Sequence, residues 1–137
     1  MSQVPALIIA GPGTNRDQDV RQALEMAGAN AKIVLASELV ERPRLLGDYR
    51  LAVVAGGFSH ADSLGAGRML ALGEELRGFV DAGRPLIGIC NGFQVLTRTR
   101  LLPGALGHNA QGNFDCRWVV LDTVEKSSCV WTKGIED

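Results

Sequence analysis

Leu86-Ile87-Gly88-Ile89-Cys90-Asn91-Gly92-Phe93-Gln94-Val95-Leu96 reads as a buried strand that bends sharply into a helix. Leu86 to Ile89 is a short apolar run, the mark of a strand covered on both faces. Gly88, Cys90 and Gly92 then give the pattern Gly-x-nucleophile-x-Gly. In such an elbow the small flanking residues relieve crowding and the central side chain stands above the sheet. The backbone N–H of the following residue is presented to an oxyanion. A helix N-terminus is also a favourable place for a nucleophilic sulfur. Cys90 is therefore the candidate nucleophile on local grounds. The competing reading, a buried cysteine acting as a small hydrophobe, loses weight in this strand–turn–helix context.

Upstream of the elbow the same rhythm repeats. Ala6-Leu7-Ile8-Ile9-Ala10 is a strand closed by Gly11-Pro12-Gly13. Thr14 or Asn15 is expected to cap the next helix, with Asp17 and Asp19 in its first turn. Val20, Ala23, Leu24 and Ala27 give that helix an apolar stripe, and Gly28 ends it. A second strand is expected over 31–36, then a short helix or loop over 37–48 interrupted by Pro43. Leu51 to Ala55 is a third strand closed by Gly56-Gly57. A helix is expected over 66–82, ended by Gly83-Arg84-Pro85, and another over 92–99. This alternation predicts an α/β fold: an open, mostly parallel sheet with right-handed crossovers and helices on both faces. Phe114 to Leu121 reads as a further strand at an antiparallel edge, followed by a polar tail from Glu125 to Asp137. No linker or low-complexity tract interrupts the chain, so 1–137 is expected to be a single domain.

Composition narrows the function. Of 137 residues, 46% are apolar and 21% charged, and 17 are glycine. That is a globular composition with glycine above its usual share of about 7%, as tight turns between strands and helices require. The formal charge is −1, with no basic stripe, so a nucleic-acid footprint is not expected. No apolar run is long enough to span a bilayer, and the N-terminus lacks the features of a signal peptide. Cys90, Cys116 and Cys129 are odd in number and lack CxxC spacing, which points to a reducing, cytoplasmic setting and not to a disulfide framework. His60 and His108 have no cysteine at ligand spacing, so no metal site is expected. There is no Gly-Lys-Ser/Thr phosphate loop, and Gly11-Pro12-Gly13 lacks the third glycine of a dinucleotide fingerprint.

Three glycine-bearing turns should meet at the carboxyl ends of the strands, where open parallel sheets bind ligands. They are Gly11-Pro12-Gly13-Thr14-Asn15-Arg16-Asp17, Gly56-Gly57-Phe58-Ser59-His60-Ala61-Asp62 and the Cys90 elbow. Together with Leu101-Leu102-Pro103-Gly104 and the stretch from Asn109 to Arg117, these blocks resemble the class I (triad-type) glutamine amidotransferases, which have a flavodoxin-like sheet. The strongest likeness is to the glutaminase subunits of phosphoribosylformylglycinamidine synthases, and it covers nearly the whole chain. The resemblance implies that Cys90 attacks the side-chain amide of glutamine and forms a thioester, releasing ammonia. It implies an oxyanion hole from the backbone N–H groups of Gly57 and Asn91. It implies substrate contacts from Gln94, Gly56 and Phe58, with Ser59 and Asp62 organising the loop after the third strand. It also implies a large synthase subunit as partner, which would carry ATP and magnesium and make formylglycinamidine ribonucleotide for purine biosynthesis. This chain itself would hold no cofactor. His60, Ala61, Gln111 and Asn113 depart from the family pattern.

Such a thiol needs a histidine base and an acid that orients it. After Cys90 the sequence has one histidine, His108, in a Gly-His-Asn turn that does not match the family's catalytic surroundings. Three explanations stand: the C-terminal part of the fold is missing, the chain is a degenerate homologue, or a partner donates the base. The intact nucleophile block favours the first. The loss of late strands would then expose a sheet edge and promote association between copies. Two other functions stay open: a non-catalytic glutamine-binding or docking homologue, and a cysteine-elbow protein of the DJ-1/PfpI type.

Overall fold

The strand β1, Val4–Ala10, occupies the interior of the sheet because its second half has nothing polar to present. Ala6 through Ala10 are at most 2% exposed. A computed structural model describes residues 3–57, 71–122 and 127–133. After β1 come α1 (Asp17–Met26), β2 (Ala29–Leu35), α2 (Ala36–Glu41), a 3₁₀ turn (Pro43–Asp48) and β3 (Leu51–Val54). Then follow α3 (Gly73–Asp81), β4 (Leu86–Gly88) and α4 (Asn91–Arg98). The four strands lie in the order β2-β1-β3-β4 and every pair is parallel. This is the flavodoxin-like order, in which the strands' carboxyl ends share one rim of the sheet.

Alternate residues of β1 feed two separate cores, as the period of a strand requires. Leu7 and Ile9 pack with Leu39, Leu46, Leu76, Phe79, Val95 and Leu96, which come from α2, the 3₁₀ turn, α3 and α4. Ala6 and Ile8 face the other way, onto Ala29, Ala31 and Ala55, with Val20 and Leu24 of α1 laid over them. Helices thus cover both faces, as the sequence predicts. Burying each of Leu7, Ile8 and Ile9 contributes about 1.5–3 kcal/mol.

The structure corrects three sequence-based expectations. Neither Thr14 nor Asn15 caps α1. The N-cap is Arg16, with no side-chain cap bond, because the Thr14 hydroxyl instead accepts from the Gly11 N–H at 2.9 Å and closes the preceding turn. β2 starts two residues earlier than expected, since Ala29 and Asn30 register against Val4 and Pro5, and Ala36 belongs to α2. The segment from Phe114 to Leu121 is not a strand. Its composition suits a pleated surface, but a strand needs a neighbour to take its backbone hydrogen bonds. Phe114, Trp118 and Val120 are 90% or more exposed. The helix expected over 66–82 is seen as α3, and its first part, 66–70, lies outside the described residues.

The chain divides into two compact units, Met1–Leu106 and Gly107–Asp137. The first contains the sheet and all the elements named above. The second contains no helix or strand among its described residues.

Tyr49, the chain's one tyrosine, follows the 3₁₀ turn and is 9% exposed. Burial, and then the nearby Asp48 and Glu38 carboxylates, raise its phenol above the ordinary value of 10.0. A folded-state value raised above the unfolded one gives stability that is fully present below the unfolded value. That stability is lost as pH rises through the folded value. The melting temperature should therefore fall more steeply above pH 10.0 in the wild type than in Tyr49→Phe. Tyrosinate absorbance reports the same titration from this single residue, and equal declines in the two proteins would refute the assignment.

Candidate active site

The loops that follow β1, β3 and β4 meet at one rim of the sheet. A Cβ built on Gly57 would fall against the Asn15 side-chain oxygen and lie 2.9 Å from Arg16 Cγ. One built on Gly56 would lie 2.7 Å from the Ile89 carbonyl oxygen and 3.0 Å from Cys90 Cβ. The Gly57 N–H donates to Asn91 Oδ1 at 3.2 Å. The Gly56–Gly57 corner thus touches both of the other blocks expected from the sequence, and glycine is what lets it approach them so closely.

The elbow itself is strained. Cys90 has φ 55° and ψ −113°, a region that side chains rarely enter and that costs about 1–3 kcal/mol. Tight packing on either side holds it there. A Cβ on Gly88 would lie 2.7 Å from the carbonyl carbon and oxygen of Gly92 and from Leu96 Cδ1. A Cβ on Gly92 would lie 2.8 Å from the Val54 carbonyl carbon and closer still to its oxygen. Backbone hydrogen bonds complete the turn: Ile89 N–H to Val54 O at 3.1 Å, Gly92 N–H to Ile89 O at 2.8 Å, and Gln94 N–H to Cys90 O at 3.2 Å. Cys90 is therefore the N-cap of α4, and its thiol faces outward, exposed.

Asn91 joins the parts. Its Oδ1 lies 3.8 Å from Cys90 Sγ, and its Nδ2 donates to Gln94 Oε1 at 3.3 Å. Cys90, Asn91, Gln94, Gly56 and Gly57 are brought together. Phe58, Ser59, His60 and Asp62 lie outside the described residues. Asn109, Gly112, Phe114 and Arg117 belong to the second unit, where their contacts are local. Asn109 Nδ2 donates to Asn113 O at 2.9 Å, Gly112 N–H donates to Asn109 O at 2.8 Å, and Arg117 pairs with Asp115 at 3.1 Å. Sequence reasoning missed the side chain of Asn91, having used only its backbone. An asparagine at the first helical position carries no signal of what its amide will reach across the sheet. It also missed Asn15 and Arg16 as the wall behind Gly57.

Chemically, the rim offers an exposed sulfur at a helix N-terminus, a half-buried backbone donor at Gly57, remote from it in sequence, and the primary carboxamides of Asn91 and Gln94. That set suits attack on a carbonyl carbon whose oxygen needs a hydrogen-bond donor. Among the described residues no group of three or more His, Cys, Asp or Glu is placed to hold a metal ion. Nor is any described helix long and apolar enough to cross a membrane.

Known proteins are similar to this chain over most of its length. The family described as the CobB/CobQ-like glutamine amidotransferase domain matches residues 3–137. The chain is 41% identical to phosphoribosylformylglycinamidine synthase subunit PurQ of Treponema denticola, with 96% of this chain and 57% of that protein covered. It is likewise 41% identical to the subunit of the same name from Dehalococcoides mccartyi, with 99% and 59% covered. Among solved structures, that of PurLQS from Thermotoga maritima matches with a TM-score of 0.70 at 36% identity, over 86% of this chain and 54% of that one. The chain thus spans just over half the length of the curated relatives it matches. Both the strand order and the cysteine elbow fall within the matched region, and the chain belongs to the CobB/CobQ-like glutamine amidotransferase family.

Proposed function

We propose that this chain carries the nucleophile half of a glutaminase that supplies ammonia to an ATP-dependent synthase making formylglycinamidine ribonucleotide. The observation that carries the reading is Cys90, held exposed at φ 55° on the N-cap of α4 against the Gly56–Gly57 corner. The sulfur adds to the side-chain carbonyl carbon of glutamine, and the carbonyl oxygen becomes an oxyanion. The tetrahedral species collapses, its nitrogen takes up a proton and leaves as ammonia, and a thioester remains on Cys90. Water then adds to the thioester, releasing glutamate and restoring the thiol. In this reading Gln94, one helical turn past Cys90, binds the glutamine.

The names of the relatives support the partner. They are subunits of phosphoribosylformylglycinamidine synthase, and the structural match is to PurLQS of Thermotoga maritima. In this reading the large synthase subunit binds ATP and magnesium and performs the amidation. The setting is the cytoplasm, where three exposed thiols outside any disulfide stay reduced.

A diazo-ketone analogue of glutamine tests the reading. Cys90, Cys116 and Cys129 are all exposed, so accessibility alone would label all three. Peptide mapping by mass spectrometry should find the label on Cys90, with excess L-glutamine slowing it. Equal labelling of Cys116 and Cys129 would remove the basis for a glutamine site.

A further inference from the structure

The Asn91 amide is engaged at both ends. Its oxygen takes the Gly57 N–H at 3.2 Å and its nitrogen gives to Gln94 Oε1 at 3.3 Å. That oxygen is also within 3.8 Å of Cys90 Sγ. The donor it occupies is the one on which the glutaminase reading would place the substrate's oxygen. A primary carboxamide thus already sits where a primary carboxamide is to react.

We infer that the Asn91 side chain is a built-in placeholder for the substrate amide, holding the Gly57 N–H until the oxyanion displaces it. The inference rests on the glutaminase reading and adds a positioning residue to it. A half-buried N–H left without an acceptor is costly, and Asn91 removes that cost while keeping the Gly57 peptide aimed at the elbow. Its acceptor is a neutral amide oxygen, the same kind as that of bound glutamine. Exchanging one for the other gains almost nothing, so the ground state does not win this donor. The tetrahedral oxyanion is charged, and a hydrogen bond to a charged acceptor is roughly twice as strong. Only that species outcompetes Asn91. The placeholder therefore directs the Gly57 donor toward the transition state at the expense of substrate affinity.

Two measurements on the chain, with Asn91→Ala and Asn91→Asp, separate this role from the reading beneath it. The first is amide hydrogen exchange at Gly57 by NMR, without ligand. Asn91→Ala should exchange roughly two- to tenfold faster, the worth of one neutral hydrogen bond, and Asn91→Asp, which keeps an acceptor oxygen, should stay protected. The second is the L-glutamine concentration that half-protects Cys90 from methyl methanethiosulfonate. It should fall by roughly the same factor in Asn91→Ala and stay near the wild-type value in Asn91→Asp, where the donor is again occupied when glutamine binds. Unchanged Gly57 exchange in Asn91→Ala overturns the placeholder whatever glutamine does. Faster exchange with unchanged or weaker protection by glutamine also overturns it, leaving Asn91 a structural tie. Faster exchange with no protection in any of the three proteins overturns the glutaminase reading, and the role with it.

Discussion

Gly92→Ala should lower the melting temperature by roughly 10 °C or more, corresponding to a loss of about 3 kcal/mol or more. The added Cβ would meet the carbonyl group of Val54, the last residue of β3. The obstacle is backbone, so no rotamer change relieves it. That oxygen also accepts the Ile89 N–H at 3.1 Å, so moving it away breaks the hydrogen bond that starts the elbow. Ordinary overpacking of a core costs about 1–3 kcal/mol because side chains give way; here the helix and strand would have to separate. Gly78→Ala is the matched control. Gly78 lies within α3 with nothing within 4 Å of an added Cβ, so the same methyl group should stabilise by about 0.5–1 kcal/mol. Opposite signs by differential scanning calorimetry would establish that the elbow glycine is required sterically. A fully cooperative Gly92→Ala protein melting within a few degrees of wild type would refute it.

The second large effect is on turnover. If the glutaminase reading holds, this chain should react with the diazo-ketone analogue yet release ammonia from glutamine about 10²–10⁴-fold more slowly than a full-length relative assayed beside it. That range is the usual worth of general acid–base help. Cys90 is held for attack by the backbone, which the chain supplies itself. A base is a different requirement. The sequence has two histidines: His60 lies outside the described residues, and His108 is exposed in the second unit. Comparable turnover by the two proteins would show that one of them serves as the base, and His60→Gln and His108→Gln would identify which.

Much of the fold was legible because burial writes itself into sequence when both faces of a strand are covered. Ala6 to Ala10 and Leu51 to Val54 are unbroken apolar runs ended by small residues, and both are strands. Gly28 was legible as a helix stop, and it adopts φ +87° just past α1. What was not legible depended on partners remote in sequence. The early start of β2 comes from its register with Val4. The segment from Phe114 to Leu121 has the residues of a strand, but composition cannot say whether a neighbouring strand exists. The rim was legible for the same reason as the sheet: parallel strands deliver their closing turns to one side. Its glycines could therefore be grouped before any distance was known. The reach of the Asn91 amide to Gly57 could not, because it depends on a rotamer and on two loops meeting.

The strand order also governs how the chain assembles as it leaves the ribosome. β1 emerges first among the four and ends up flanked on both sides, β2 on one edge and then β3 and β4 in turn on the other. Every newcomer finds its docking edge already made, so nothing has to be pried open to admit a later segment. The Cys90 bend rests on the end of β3, through the Ile89 N–H bond to Val54 O at 3.1 Å, so among these elements it can close only once that strand is in place. During biosynthesis the nascent polypeptide thus has a scaffold before it has this bend, and the Cys90 side chain is set above the sheet only once the sheet is there to hold it.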